Sequence, residues 1–207
     1  EAITPRTRYI LVSHMIFLTG QVLPVRAICD MAHSRGVEVI VDAAHSFAHL
    51  DWKIPDLGCD YLGSSLHKWL GCPLGTGLLY VKREHIAKVW PLFGDRNAQG
   101  GDIEKLHHIG THAQGTDLAI RDAIRFHEAI GGARKEARLR WLKNAWVSRV
   151  KDVPGVHINT PLGDDQSCAI ANVLVDGMTP AELVDALWDR WRIFTVAVEQ
   201  GARIAPN

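Results

Sequence analysis

The chain has 207 residues, of which 47% are hydrophobic and 22% charged, with 23 basic side chains balanced by 23 acidic ones. This is the composition of an ordinary soluble globular protein, long enough for one large domain and an appendage, with no cationic surplus for nucleic acid or an anionic membrane. No apolar run approaches the roughly 20 residues of a membrane span, and the first residues lack the charged start and apolar stretch of a secretory signal, so a cytoplasmic protein without spanning segments is expected.

Taken in chain order, residues 8–14 form a short apolar run with polar ends and predict a buried strand. Pro24 opens a helical stretch, with Val25, Ile28, Cys29 and Ala32 at three- and four-residue spacing, that stops at Gly36. A second strand is predicted over residues 37–41, a loop over 42–57, a third strand around 61–64 and a fourth over 77–81. Strand, helix and strand in such quick succession predict a parallel sheet covered by helices, so the first half is α/β. Apolar residues recur at helical spacing over 119–130, and after Gly131 a second helix places Ala137, Trp141 and Ala145 on one stripe. These two helices are expected to link domains. A strand at 168–175, a helix at 180–190 and a strand at 193–198 read as a small α/β unit. The expected division is therefore 1–130 and 131–207, without internal repeats or low-complexity segments.

The four cysteines, Cys29, Cys59, Cys72 and Cys168, form no CxxC pair and read as reduced, buried or half-buried thiols. His107, His108 and His112 lack the HExxH spacing of a helical zinc site and lie among turn residues, so loop histidines are expected there and no metal. Asp42 follows four apolar strand residues and should stand at the carboxyl end of a parallel strand, where open α/β sheets place their ligands. Lys68 comes 26 residues later, just after another short strand, within reach of the same crevice. A lysine forms imines readily only where its ammonium loses its proton easily, and His67, Trp69 and Leu70 offer such surroundings. Singly, such an Asp is more often a turn residue or helix cap and such a Lys a solvated charge.

Together, the segments Val41-Asp-Ala-Ala-His-Ser46 and Ser65-Leu-His-Lys-Trp-Leu-Gly-Cys-Pro-Leu-Gly-Thr-Gly77 strongly resemble the class V aminotransferase family of fold-type I pyridoxal-5′-phosphate (PLP) enzymes. That family includes cysteine desulfurases, kynureninase-like enzymes and isopenicillin N epimerase-like proteins. The resemblance implies a mostly parallel large-domain sheet with covering helices, missing its earlier part, and a small C-terminal α/β domain truncated at its end. It implies Asp42 as the carboxylate on the pyridine nitrogen, His45 on the ring oxygen, Ser65 and His67 on the phosphate, and Lys68 as the Schiff-base lysine and later the acid or base at the α-carbon. Thr111, in Ile109-Gly-Thr-His112, matches a threonine that reaches the cofactor phosphate of the neighbouring subunit, which implies a homodimer with shared sites; the family has Pro where this chain has His112. Arg203 matches the arginine that clamps the substrate carboxylate, an alternative to a salt-bridged surface Arg.

The implied activity is PLP-dependent chemistry on a small amino-acid substrate through an external aldimine, by epimerase, lyase or aminotransferase reaction. A desulfurase needs a persulfide-forming Cys shortly before the carboxylate clamp. None lies between Cys168 and Arg203, and Cys168 sits in an apolar strand pattern. Residues 12–25 and His67-Lys-Trp-Leu70 look more like the isopenicillin N epimerase-like branch. A non-catalytic relative that keeps only the scaffold stays open. A dinucleotide-binding domain is disfavoured, because Gly75-Thr-Gly77 leads into a strand instead of opening a helix. A chain lacking part of the large-domain sheet is expected to bind PLP weakly and to turn over amino acids slowly or not at all.

Overall fold

The computed structural model describes residues 2–94 and 98–206, and these fall into two compact units. The first unit comprises the chain up to Ser13, 24–47 and 52–126; the second comprises 14–23, 48–51 and the chain from His127 onward.

The first unit is built on a four-stranded sheet of β1 (Tyr9–Ser13), β2 (Glu38–Asp42), β3 (Tyr61–Ser65) and β4 (Gly77–Val81), adjacent in that order. β1, β2 and β3 run parallel, as expected, whereas β4 is antiparallel to β3. Connection length decides the reversal: residues 66–76 are too few for a crossover, so the strand must return beside its predecessor. Helix α1 (Val25–His33) packs Val25, Cys29 and Ala32 against Val39 and Val41 of β2 and Leu62 of β3. The four-residue helix α2 (Ile54–Leu57) joins the same core through Leu57. It lies in what the sequence reads as loop, because one helical turn is too short to show a period. Among the described residues α1 and α2 cover one face of the sheet, and the other face leaves Leu11 73% and Leu79 55% exposed.

At the end of the sheet opposite Asp42, the buried Asp60 joins four segments. Its Oδ2 accepts from the Val39 N–H at 2.8 Å and from His33 Nε2 at 2.7 Å, and its Oδ1 from His85 Nε2 at 3.0 Å, with Lys82 Nζ 3.8 Å away. Burial pushes the Asp60 carboxyl up, but the His33, Val39 and His85 hydrogen bonds outweigh it and hold the group below its ordinary value. Beside it Glu38 accepts from the Tyr61 hydroxyl at 2.8 Å and pairs with Lys88.

Helix α3 (Gln114–Ile130) carries the chain into the second unit, where α4 (Gly132–Val150) follows. Strands β5 (Val156–Ile158), β6 (Ala171–Val175), β7 (Val196–Val198) and β8 (Gly201–Ile204) form an antiparallel sheet in the order β5-β6-β8-β7, with α5 (Pro180–Trp191) between β6 and β7. The core stripe of α4 is Leu139, Lys143 and Val147, not the expected Ala137, Trp141 and Ala145. A lysine reads as polar in a pattern. Here its stem is buried, its Nζ donates to Ser167 Oγ at 2.7 Å, and burial lowers its pKa. Trp141 is exposed instead, with the Arg138 guanidinium 4.4 Å over its ring.

The strand expected from residue 168 begins at Ala171. Before it, side chains take the place of ladder partners: the Ala169 N–H donates to His49 Nε2 at 3.0 Å and Arg140 donates to the Ser167 carbonyl. Likewise β7 starts at Val196 and not at 193, because α5 runs on to Trp191 and closes with Arg192 in a left-handed conformation (φ 56°).

Segment 14–23 is anchored within this unit. Thr160 Oγ1 donates to the Thr19 carbonyl at 2.6 Å, and the Val22 N–H donates to the Gln166 carbonyl at 2.8 Å. Gly20 has φ +73°, and a Cβ there would lie 2.1 Å from the Ile170 carbonyl oxygen. Gly20→Ala is therefore expected to destabilise the protein by about 2–3 kcal/mol. Gly36→Ala, with a similar φ of +70° but open space around the added Cβ, should cost only about 1 kcal/mol. Urea unfolding of both variants checks the difference, and equal losses would show that backbone conformation alone sets the cost.

Candidate active site

Alternation along β2 turns Val39 and Val41 into the core and Ile40 and Asp42 to the other face. The strand ends as the Ala43 N–H donates to the Gly63 carbonyl at 2.8 Å, and a single turn follows in which the Phe47 N–H returns to the Ala43 carbonyl. Asp42 Oδ1 accepts the Ala44 N–H at 2.9 Å, which orients the carboxylate at the end of β2. His45 stands on this turn.

After β3 the chain makes the excursion 66–76 that holds Lys68. Leu66, Leu70 and Cys72 are buried anchors, while the Cys72 N–H donates to the Leu66 carbonyl and the Leu66 N–H to the Thr76 carbonyl. Gly71 (φ +78°) and Gly75 (φ +90°) take the left-handed conformations this tight path requires. Lys68, between the buried Leu66 and Leu70, is thereby turned outward.

The result is a cleft of about 400 Å³ at the carboxyl ends of β2 and β3, lined by Leu11, Asp42, Ala44, Gly63, Ser65 and Lys68. Lys68 Nζ is 3.2 Å from His45 Nε2, and the Trp69 indole N–H reaches toward His45 Nδ1 at 3.5 Å. His67, next in chain, is half-buried, and its Nδ1 is a buried atom with no hydrogen-bond partner among the described residues. Such an atom costs about 1–3 kcal/mol unless a ligand satisfies it. A Cβ on Gly63 would meet nothing within 4 Å, so the cleft floor has room beside Asp42. Asp42, Ser65 and Lys68 on the cleft, with His45 beside the lysine, fit PLP: a carboxylate for a pyridine nitrogen, an imidazole for a ring oxygen, an amine for an aldehyde and a hydroxyl for a phosphate, whereas His67 is not among the cleft-lining residues.

Two residues singled out in the sequence lie elsewhere. Thr111 is exposed, between Gly110 and His112, which line a separate cleft of about 900 Å³ with Gly75, Gly77 and Leu79. His112 closes the loop: its ring bonds to the Gly110 carbonyl at 3.1 Å and to Asp117 at 2.6 Å, and these two contacts raise its pKa. Arg203 belongs to the second unit, on β8 opposite Asn172 and Val196, and its buried Nε has no partner among the described residues. The Trp69 contact with His45 has no signature in the sequence beyond the place of Trp69 next to Lys68. The four cysteines are free and buried, and burial pushes the Cys168 thiol up to about 11. No group of His, Cys, Asp and Glu among the described residues is arranged to hold a metal, and no described helix is long and apolar enough to cross a membrane.

Comparison with known proteins identifies the family and the fold. The chain is 31% identical to the isopenicillin N epimerase of Streptomyces clavuligerus over 96% of its own length and 54% of the relative's. It is 29% identical to a probable cysteine desulfurase of Mycolicibacterium paratuberculosis over 88% of its length and 28% of the relative's. Among solved structures, the cysteine desulfurase CsdA of Escherichia coli superposes with a TM-score of 0.85 at 21% identity, over 98% of this chain and 55% of that one. The chain thus spans about half the length of the isopenicillin N epimerases it matches, and its fold is the corresponding portion of fold type I. The sequence profile of the family described as aminotransferase class-V matches residues 1–206, and the chain belongs to that family of PLP-dependent proteins.

Proposed function

We propose that this chain holds PLP in the β2–β3 cleft and belongs to an enzyme that acts on a small amino acid at its α-carbon, by epimerase, lyase or aminotransferase chemistry. The observation that carries the reading is the convergence of Asp42, Ser65 and Lys68 on one cleft, with His45 3.2 Å from the lysine amine. PLP, when bound, supplies an electron-withdrawing ring that takes up the electron pair left when a bond at the α-carbon breaks. Asp42 holds the proton on the ring nitrogen. His45 donates to the ring oxygen, and Ser65 and His67 donate to the phosphate. Lys68 is the covalent attachment point and, once released, moves the proton at the α-carbon. Arg203 is assigned to the substrate carboxylate, and Thr111 to the phosphate site of a second copy in a cytoplasmic homodimer.

A cysteine desulfurase is the second reading, favoured by the relatives that carry that name. The four cysteines of this chain are buried, which weighs against any of them as the persulfide-forming residue, since such a Cys must reach substrate as a thiolate. Borohydride reduction of the protein with PLP, followed by peptide mass mapping, tests the main reading. The label is expected on Lys68, and label on Lys53 or Lys82 would remove it from the role.

A further inference from the structure

We infer that Trp69 is a positioning residue that fixes the tautomer of His45 and, through it, the hydrogen-bonding partner of Lys68. The inference rests on the assignment of Lys68 as the attachment point and adds a residue to that site. Lys68 and Trp69 are neighbours on the excursion after β3, while His45 comes from the turn after β2, and the two consecutive side chains meet the two ring nitrogens of one imidazole. The Trp69 indole Nε1–H is a donor only. Placed 3.5 Å from His45 Nδ1, it makes that nitrogen the acceptor, so the proton of the neutral imidazole sits on Nε2.

Nε2 is the atom 3.2 Å from Lys68 Nζ. The tautomer thus decides whether the ring donates to the lysine nitrogen or accepts from it. The same tautomer presents an N–H, not a lone pair, on the cleft side of the ring, which suits an anionic ring oxygen. Leu66 and Leu70, buried on either side, hold the backbone that carries both Lys68 and Trp69. The half-buried indole thus has a fixed origin from which to set the imidazole.

The test uses the full chain without cofactor, with histidine ring nitrogens labelled with 15N and the His45 signals identified by their loss in His45→Gln. The expected result is protonated Nε2 and unprotonated Nδ1 on His45. In Trp69→Phe, which keeps an aromatic ring but removes the donor, the ratio of the Nε2–H to the Nδ1–H form should fall about five-fold, the worth of one ordinary hydrogen bond. A wild-type His45 protonated on Nδ1 overturns the inference, and so does a Trp69→Phe protein in which the ratio is unchanged. The wild-type spectrum decides even where the variant does not fold. Since neither measurement involves PLP, a borohydride label on another lysine would defeat the cofactor assignment separately.

Discussion

On the proposed function, Asp42→Asn in an enzyme that contains this chain and has measurable turnover is expected to leave PLP bound while lowering amino-acid turnover by about 10²–10³-fold. The side chain is held by the Ala44 N–H on Oδ1 at 2.9 Å, and an amide oxygen can accept the same bond, so the turn and the cleft should survive the substitution. What is lost is charge. A carboxylate beside a pyridine nitrogen stabilises the protonated, electron-withdrawing ring; a neutral amide does not, and the electron pair released at the α-carbon is then poorly accommodated. Removing one preorganised electrostatic partner of a developing charge costs about 3–4 kcal/mol, which sets the size of the effect. Steady-state rates with an amino-acid substrate, alongside cofactor content by absorbance, check it. A variant that retains both cofactor and a near-normal rate would remove Asp42 from the mechanism. One that loses the cofactor would show that Asp42 acts chiefly in binding.

Asp60→Ala is expected to cost about 3–5 kcal/mol of stability at pH 7, the loss typical when one partner of a buried charged network is removed. The carboxylate is 2% exposed and is the common acceptor for His33, the Val39 N–H and His85, so its removal leaves donors from three segments without their acceptor. The sign of the pH dependence follows from its depressed pKa. Its contribution is fully present above the unfolded carboxyl value of about 3.9 and is lost as the pH falls through the lower folded value. The stability gap between wild type and variant should thus be widest near neutrality and narrow below about pH 4. Urea titrations at pH 7 and pH 3.5 measure both. A gap under 1 kcal/mol at pH 7, or one of equal size at both pH values, would contradict the account.

Lys143 and Asp60 are both buried charged residues, but the two cases differ. Lys143 satisfies its ammonium with the Ser167 hydroxyl, itself bonded to the Pro161 carbonyl, and carries a lowered pKa from burial. Asp60 is surrounded by donors and carries a lowered pKa despite burial. A charged side chain in a core is thus stabilised as an ion where opposing partners converge and pushed toward neutrality where a single hydroxyl is its partner.

The apolar runs of β1 to β4, the helical spacing of α1 and the separation of Asp42 from Lys68 were all legible in the sequence, because each is local or a fixed distance along the chain. From the same local signals came Asp42 at a strand end, Lys68 in a turn after the next strand, and the glycines that allow the turn. The tertiary structure alone decided what lies between those points. It brought His45 and Trp69 together across 24 residues, set His49 against Ala169 across 120, and gathered segments 14–23 and 48–51 into the second unit. It also placed Lys143 on the buried stripe of α4, where a pattern of apolar residues points to Trp141. The reason is physical. Periodicity reports which face of an element avoids water, but a hydrogen bond between a side chain and a distant partner leaves no periodic trace, and only the folded chain determines which groups meet.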